Sequence, residues 1–249
     1  MIDVSDLWKS YGNTAILKGL NLHIPAGQIL VIMGRSGVGK SVLLRHIMGL
    51  EKPDRGDIAI DGVQITSLSQ KALFERVMHF GMLFQGSALF DSMTVGENVA
   101  FYFTQHANIA KSVLAASVEQ ALHDVGLSGY QNKMPSQLSG GQRRRAALAR
   151  LNIYKPKIML FDEPTTGLDP ITAMQINELI AKTHKELQST SILVTHDVNS
   201  ALHLGDLFAI HHEGKIQSVL TKEQFLQSDN PLIREFIQNS FINLTCDTP

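Results

Sequence analysis

The chain has 249 residues and a mass of 27.4 kDa, which suits one α/β domain with a subsidiary lobe. Its formal net charge of -1 and its pI near 6.8 argue against broad electrostatic binding of nucleic acid or anionic lipid. No run approaches the roughly 18 apolar residues that a transmembrane helix needs, and the N-terminus shows no secretory signal. The single cysteine, Cys246, cannot form an internal disulfide, which fits a reducing compartment. We therefore expect a protein that reaches a membrane only through a partner.

The N-terminal part predicts β strands on either side of a glycine-rich loop. Apolar residues alternate over residues 16–24, and residues 29–33 form the continuous apolar run of a buried strand. A helix is expected over residues 40–48, directly after the loop. An Asp-Gly pair at 61–62 indicates a hairpin, and a further buried strand is expected at 80–84.

The character of the sequence changes between residues 86 and 151. Strand-like runs vanish there, and helix formers dominate residues 110–125. Buried strands resume at 158–161 and 191–195, separated by a predicted helix over 171–187. The sequence therefore predicts a helical insertion inside an α/β core.

Three regions follow from these patterns. We predict an α/β core from residues 1–85 and 152–220, a helical subdomain from 86–151, and a C-terminal helical tail from 221–249. In the tail, Asp229 or Asn230 can cap a helix that starts at Pro231. Its apolar face is expected to dock on its own domain or, alternatively, on a second protomer or a partner. This face comprises Leu232, Ile233, Phe236, Ile237 and Phe241.

A phosphate-binding loop is predicted between the strand at 29–33 and the helix at 40–48, because the intervening sequence fits G-x-x-x-x-G-K-[ST]. Its glycines let successive backbone N–H groups face inward, where the helix dipole adds positive potential. Lys40 is expected to reach the β- and γ-phosphates, and the Ser41 hydroxyl to bind Mg²⁺. The loop consists of Gly34, Arg35, Ser36, Gly37, Val38, Gly39, Lys40 and Ser41.

A second half of the site is predicted at the end of the strand at 158–161. This strand delivers Asp162 and Glu163 to its C-terminal edge, where ligands bind in open α/β sheets. Asp162 is expected to hold Mg²⁺, directly or through water. Glu163 is placed to orient and deprotonate the attacking water. An Asp-Glu pair alone is an ordinary solvated corner; after a phosphate loop it indicates nucleotide hydrolysis.

A phosphate loop alone would also allow kinases, GTPases or helicases. The string Leu138-Ser139-Gly140-Gly141-Gln142 stands just before a predicted helix, where small residues let a phosphate approach a helix N-terminus. It resembles the signature motif of the ABC ATPase family at all five positions. The resemblance implies a P-loop NTPase (RecA-like) α/β core with an antiparallel β subdomain and an inserted α-helical subdomain. It also implies that the string contacts the ATP held by a second copy of the chain, in an ATP-sandwich homodimer.

Other positions resemble functional residues of the same family. Gln85 resembles the glutamine that touches Mg²⁺ and the attacking water, and Asp169 the aspartate that links two sites across the dimer. His196 resembles the histidine that contacts the γ-phosphate. Tyr11 lies where the family stacks an aromatic ring on adenine, with Trp8 as the alternative and core packing open for both. The other nine histidines form no cluster and are expected at the surface.

The cargo is indicated only by resemblance to a subfamily, the ATPases of bacterial Mla-type (MCE-associated) phospholipid transporters. The segments that carry it are residues 82–95, 167–172 and 230–236. The resemblance implies phospholipid transport between inner and outer membranes. The implied partners are a multi-pass permease, an MCE-domain lipid-binding protein and a small regulatory subunit. The implied location is the cytoplasmic face of the inner membrane, reached through the permease.

Two alternatives remain open at this stage. An importer ATPase for a small polar solute shares every ATP motif with the phospholipid transporters. A non-transport ABC ATPase that signals to a membrane partner would also use a compact single-domain subunit. DNA-repair members carry coiled coils or zinc-binding cysteines, and this sequence has neither.

Overall fold

Two long antiparallel strands begin the chain, β1 (Ile2–Tyr11) and β2 (Thr14–Ile24). The structure is a computed structural model. It describes residues 1–35, 37–107 and 109–245, and it describes the surroundings of side chains up to residue 238. Strand β1 also pairs with β4 (Arg55–Ile60), which forms the predicted hairpin with β5 (Val63–Gln64). These four strands form one antiparallel sheet in the order β2-β1-β4-β5.

The strand β3 (Ile29–Met33) pairs in parallel with its neighbours, and this pairing positions the residues that follow it. This fully buried strand lies between β8 (Thr190–Thr195) and β9 (Leu207–His212), parallel to both. Strand β10 (Lys215–Thr221) then pairs antiparallel with β9. Strands buried on both faces need continuous apolar sequence, which explains the run at 29–33.

The chain forms two units, and the second is His79–Gln188. Within it, β6 (Phe80–Leu83) and β7 (Ile158–Asp162) pair in parallel. The predicted helical insertion is present in this unit, since three α-helices lie between those two strands in the part of the chain that the structure describes. The helices of the unit are α3 (Val95–His106), α4 (Lys111–Asp124), α5 (Gly140–Asn152) and α6 (Pro170–Leu187).

The first unit comprises Met1–Met78 and the chain from Ser189 onward. The region boundaries predicted from the sequence stay predictions. Among the described residues, no helix combines the length and apolar character needed to cross a membrane. The helices of the first unit are α1 (Lys40–Ile47), α2 (Gln70–Val77), α7 (Val198–Leu204), α8 (Lys222–Leu226) and α9 (Pro231–Thr245).

The predicted tail helix is α9, and it packs against α7 of the same unit. The side-chain oxygen of Asn230 accepts a hydrogen bond from the Leu232 backbone at 2.9 Å, so Asn230 caps the helix as its sequence suggests. Ile233 is fully buried, and Phe236 is half-buried. The side chain of Phe241 lies beyond those that the structure describes, and Cys246 lies outside the described residues.

Candidate nucleotide site

Three neighbouring strands of the first unit deliver polar residues to one edge of the sheet. Met33, the last residue of β3, is paired with Thr195 of β8 and with Ile210 of β9. Gly34 and His196 therefore leave adjacent strands at the same level. Gly34 tolerates no side chain, because a Cβ there would lie 2.5 Å from the carbonyl oxygen of His211.

The phosphate loop lies between this edge and the first turn of α1. The ammonium of Lys40 is buried and donates hydrogen bonds to the carbonyl oxygens of Gly34, at 2.6 Å, and Arg35, at 2.9 Å. Lys40 is also the first residue of α1, so the positive end of the helix dipole points at the loop. Ser41 follows in that first turn. A helix N-terminus, a lysine and a glycine-rich backbone form an anion cradle.

Three further residues of the predicted loop fit this description. Gly37 and Val38 lie in the turn between Arg35 and the helix, and Gly39 is the residue before α1. Ser36 lies outside the described residues, so its predicted place in the loop stays a prediction.

Both aromatic candidates for adenine stacking are partly exposed, Tyr11 at 43% and Trp8 at 37%. The Tyr11 hydroxyl lies 2.6 Å from the Glu51 carboxylate, which fixes the ring at the rim of the antiparallel sheet. The Trp8 indole donates to Asp6 at 2.7 Å. Neither ring is core packing, and the assignment of adenine stacking to Tyr11 stays a proposal.

A buried histidine behind the loop was not predicted. His211 is 1% exposed, and neither ring nitrogen has a hydrogen-bond partner among the described residues. Burial, with smaller contributions from Lys40 and His212, lowers the pKa of His211 to about 4. The ring is therefore neutral at neutral pH and adds no cation beside Lys40. The expectation that the other histidines lie at the surface is wrong for His211 and for His46, both 1% exposed, because strand and helix packing bury them.

The second unit has its own edge of polar residues. Leu83 of β6 is paired with Phe161 of β7, so Gln85 and Glu163 each lie two residues beyond a matched pair. Asp162 ends β7 and is only 8% exposed. Because β6 and β7 pair in parallel, the segments that carry Gln85, Asp162 and Glu163 lie at the same edge of this strand pair.

Glu163 is held in an uncommon backbone conformation. Its φ of 50° lies in the left-handed region, which a residue other than glycine adopts at an energetic cost and often at functional sites. The Thr166 hydroxyl donates a hydrogen bond of 2.7 Å to Glu163 Oε2, so the carboxylate is oriented by its own turn. Thr166 was not predicted, because a threonine three residues after a carboxylate carries no distinct signal.

The loop that contains Gln85 is tied to α5 by two arginines. Arg144 donates to the carbonyl oxygen of Phe84 at 2.7 Å, and Arg150 donates to those of Ala88 at 2.7 Å and Ser87 at 3.1 Å. Burial lowers the pKa of both guanidinium groups. Ser87 and Ala88 have φ values of 64° and 47°, so Arg150 stabilises two consecutive left-handed residues.

We expect Arg150→Met to lower the free energy of unfolding by about 2 kcal/mol, because charge-assisted hydrogen bonds to Ser87 and Ala88 are lost. Urea denaturation followed by circular dichroism measures this change. Arg143→Met is the matched control, since Arg143 is exposed on the same helix and its loss should cost less than about 0.5 kcal/mol. Equal stabilities of the two variants would contradict the structural role of Arg150.

The Leu-Ser-Gly-Gly-Gln string was predicted to stand just before a helix, but its last three residues form the first turn of α5, which begins at Gly140. Ser139 caps the helix by accepting from the Gln142 backbone at 3.3 Å, and Gln142 accepts in return from the Ser139 backbone at 3.0 Å. Gly140 is exposed at the first turn. Gly141 must be glycine, because a Cβ there would lie 2.5 Å from the Thr172 methyl group of α6.

Asp169 caps the adjacent helix α6. Its carboxylate accepts a hydrogen bond of 3.0 Å from the Thr172 backbone, and hydrogen bonding with Thr172 lowers the pKa of Asp169. Thr172 thus contacts both capped helix starts, those of α5 and α6. Asp169 is exposed, so it is available to another molecule.

A phosphate loop, a strand that ends in an Asp-Glu pair and a capped Leu-Ser-Gly-Gly-Gln helix are the parts of a nucleotide-hydrolysing P-loop protein. The sequence profile described as ABC transporter matches residues 17–166, and the chain belongs to that family. It is therefore an ATPase that binds ATP and couples hydrolysis to transport, as the sequence resemblance predicted.

Curated relatives include two kinds of ATP-binding protein. The chain is 40% identical over 95% of its length to "Probable ribonucleotide transport ATP-binding protein mkl" of Mycobacterium leprae. It is also 40% identical, over 96% of its length, to "Intermembrane phospholipid transport system ATP-binding protein MlaF" of Haemophilus influenzae. It spans about two thirds of the mycobacterial relatives (68% and 66% of two of them) and 90% of that MlaF.

Solved structures confirm the predicted fold. The chain matches the ATP-binding cassette MJ0796, solved as a dimer in a post-hydrolysis state with ADP and Pi, at a TM-score of 0.82 and 31% identity. The match covers 89% of this chain and 99% of that one.

Proposed function

We propose that this chain hydrolyses ATP as one of two copies that power phospholipid transport between bacterial membranes. The observation that carries the proposal is the 40% identity to an MlaF protein of which the chain spans 90%. The mycobacterial relatives are equally similar, but the chain spans only about two thirds of their length. Their name favours the alternative of a small-solute transporter. A signalling ATPase with a membrane partner is the other alternative.

The roles proposed for the first unit follow from the anion cradle. The backbone of residues 34–39 and the Lys40 ammonium would bind the ATP phosphates, and Tyr11 would stack on adenine. His196 would contact the γ-phosphate, because it leaves the strand beside Gly34.

The residues present also fit a magnesium ion. The proposed ligands are the Ser41 hydroxyl, the Asp162 carboxylate and the Gln85 amide, all of them oxygen donors as Mg²⁺ requires. Mg²⁺ keeps water and substrate phosphates as further ligands, so one protein carboxylate is enough. When bound, Mg²⁺ would neutralise charge on the phosphates.

Glu163 is proposed as the general base. Its carboxylate is half-buried and oriented by Thr166, which suits a group that accepts a proton from one water. Gln85 would help to hold the same water. The base and the phosphate-binding residues thus have separate roles, which separate substitutions can test.

A second copy of the chain is proposed to complete each site. The start of α5, formed by Ser139, Gly140, Gly141 and Gln142, would contact the ATP of the partner copy. The backbone N–H groups of Ser139 and Gln142 are used in the cap, so those of Gly140 and Gly141 would bind the phosphate. Exposed Asp169 would link the two sites. The dimeric cassette MJ0796 supports this assembly.

A groove in the second unit is proposed as the contact for a multi-pass permease. It encloses about 410 Å³ and is rich in aromatic side chains, including Phe84 and Phe90, which are 37% and 41% exposed. Tyr102 and Tyr154 stack in its wall with ring centroids 4.3 Å apart. An apolar helix of the permease would fit such a groove, and the Gln85 loop forms part of its lining.

The further partners proposed are an MCE-domain lipid-binding protein and a small regulatory subunit. The location proposed is the cytoplasmic face of the inner membrane, with the chain held there by the permease. Both proposals rest on the resemblance to Mla-type systems and on the identity to MlaF.

The test is purification of the tagged chain from its own membranes in mild detergent, followed by mass spectrometry of proteins and lipids. We expect a permease, an MCE-domain protein and stoichiometric phospholipid. A tagged Lys40→Ala chain, purified from the same membranes, is the control. Lipid that is also recovered with this variant does not depend on nucleotide binding by the chain. Recovery of a solute-binding or division protein without enriched lipid would overturn the phospholipid proposal and leave the ATPase assignment intact.

A further inference from the structure

The tail helix contacts the phosphate loop directly. The Arg35 guanidinium donates to both carboxylate oxygens of Glu235 on α9, at 2.6 Å and 2.9 Å. Leu232 and Phe236 of the same helix line a small cavity with Arg35 and His211. The tail is therefore part of the wall around the loop, although it starts about 190 residues later in the sequence.

Arg35 is held from two sides. Its carbonyl oxygen accepts from Lys40 inside the loop, and its side chain is bound by Glu235 outside the loop. Glycine-rich backbone loses much conformational entropy when it is ordered, so a loop of this composition depends on such external contacts. The helix that carries Glu235 is anchored in turn, because Ile233 is buried and α9 packs on α7.

We propose that Glu235 is a positioning residue for ATP binding, which acts through Arg35 to hold the phosphate loop in its binding conformation. The proposal rests on the proposed role of residues 34–41 as the phosphate cradle. It gives the tail helix a part in nucleotide affinity as well as in packing.

The charge of Glu235 is not expected to repel ATP strongly. The guanidinium of Arg35 lies within 2.9 Å of both carboxylate oxygens, so the pair presents almost no net charge to the phosphates. Both side chains are also about half exposed or more, where salt screens charges over about 8 Å. Loss of the Arg35–Glu235 contact should therefore lower the affinity for ATP more than loss of the negative charge raises it.

The test is steady-state ATPase kinetics of the full chain, in complex with its membrane partner where one is purified. We expect Glu235→Gln to raise KM for ATP about two- to fivefold with kcat unchanged, the size expected for an exposed ion pair. Glu235→Asp should restore part of the affinity. Glu119→Gln, an exposed glutamate on α4, is the matched control and should leave KM unchanged.

A double-mutant cycle tests whether Glu235 acts through Arg35. Arg35→Gln combined with Glu235→Gln should have the same KM as Arg35→Gln alone, because the contact is already lost. Thermal unfolding should be nearly equal in all these variants, which separates positioning from stability. Unchanged or lowered KM in Glu235→Gln, or additive effects in the double variant, would overturn the proposal. Normal ATP binding by Lys40→Ala in the same series would instead overturn the phosphate cradle itself.

Discussion

Replacing Glu163 by glutamine is expected to lower kcat for ATP by about 10²- to 10⁴-fold, the usual contribution of a general base. Glutamine has nearly the same shape and can still accept the Thr166 hydrogen bond, but it cannot take a proton from water. The phosphate cradle in the first unit is unchanged, so ATP should bind with normal affinity.

Single-turnover hydrolysis and equilibrium binding of ATP together measure this prediction. Glu178→Gln is a suitable control, because Glu178 is an exposed glutamate on α6 and its substitution should alter neither quantity. Glu163→Gln with near-normal turnover would show that another group activates the water.

Replacing Lys40 by alanine is expected to raise Kd for ATP about 10- to 100-fold, since charge-assisted hydrogen bonds to phosphate are lost. The change also removes the two bonds to Gly34 and Arg35, so the loop loses an internal support. A further consequence concerns His211, whose pKa should rise, because the Lys40 charge that contributes to lowering it is gone.

Isothermal titration with ATP measures the affinity, and NMR titration of labelled histidine measures the pKa. Lys182→Ala on α6 is the control, because the Lys182 ammonium is exposed and pairs with Glu186 at 3.8 Å. A Kd within twofold of the unsubstituted chain would show that Lys40 does not bind the phosphates.

The motifs were predictable because each has a fixed local context. The phosphate loop needs only a buried strand before it and a helix after it, and the sequence shows both around residues 34–41. The Ser139 cap and the Asp169 cap are likewise local, since the bonded groups are three residues apart. Local hydrogen bonding and hydrophobic periodicity therefore recover most of the secondary structure near the site.

Contacts between distant residues were not predictable. Arg143, Arg144 and Arg145 look alike in the sequence, yet only Arg144 is buried against the carbonyl of Phe84. Burial of His211 and its proximity to Gly34 depend on β9 lying beside β3, and neither β9 nor β10 was predicted. The Arg35–Glu235 pair joins residues 200 positions apart, so no sequence pattern marks it.

The position of β3 between β8 and β9 bears on how the protein is made. At translation rates of about 5–20 residues per second, the ribosome needs roughly 10 to 35 seconds to proceed from β3 to the end of β9. During that time the five apolar residues of β3, Ile29–Met33, lack the two strands that pair with the edges of β3 in the folded protein. The nascent chain is then a candidate for chaperone binding at this segment. The second unit is continuous in sequence, so it can begin to fold while the first still lacks β8, β9 and β10.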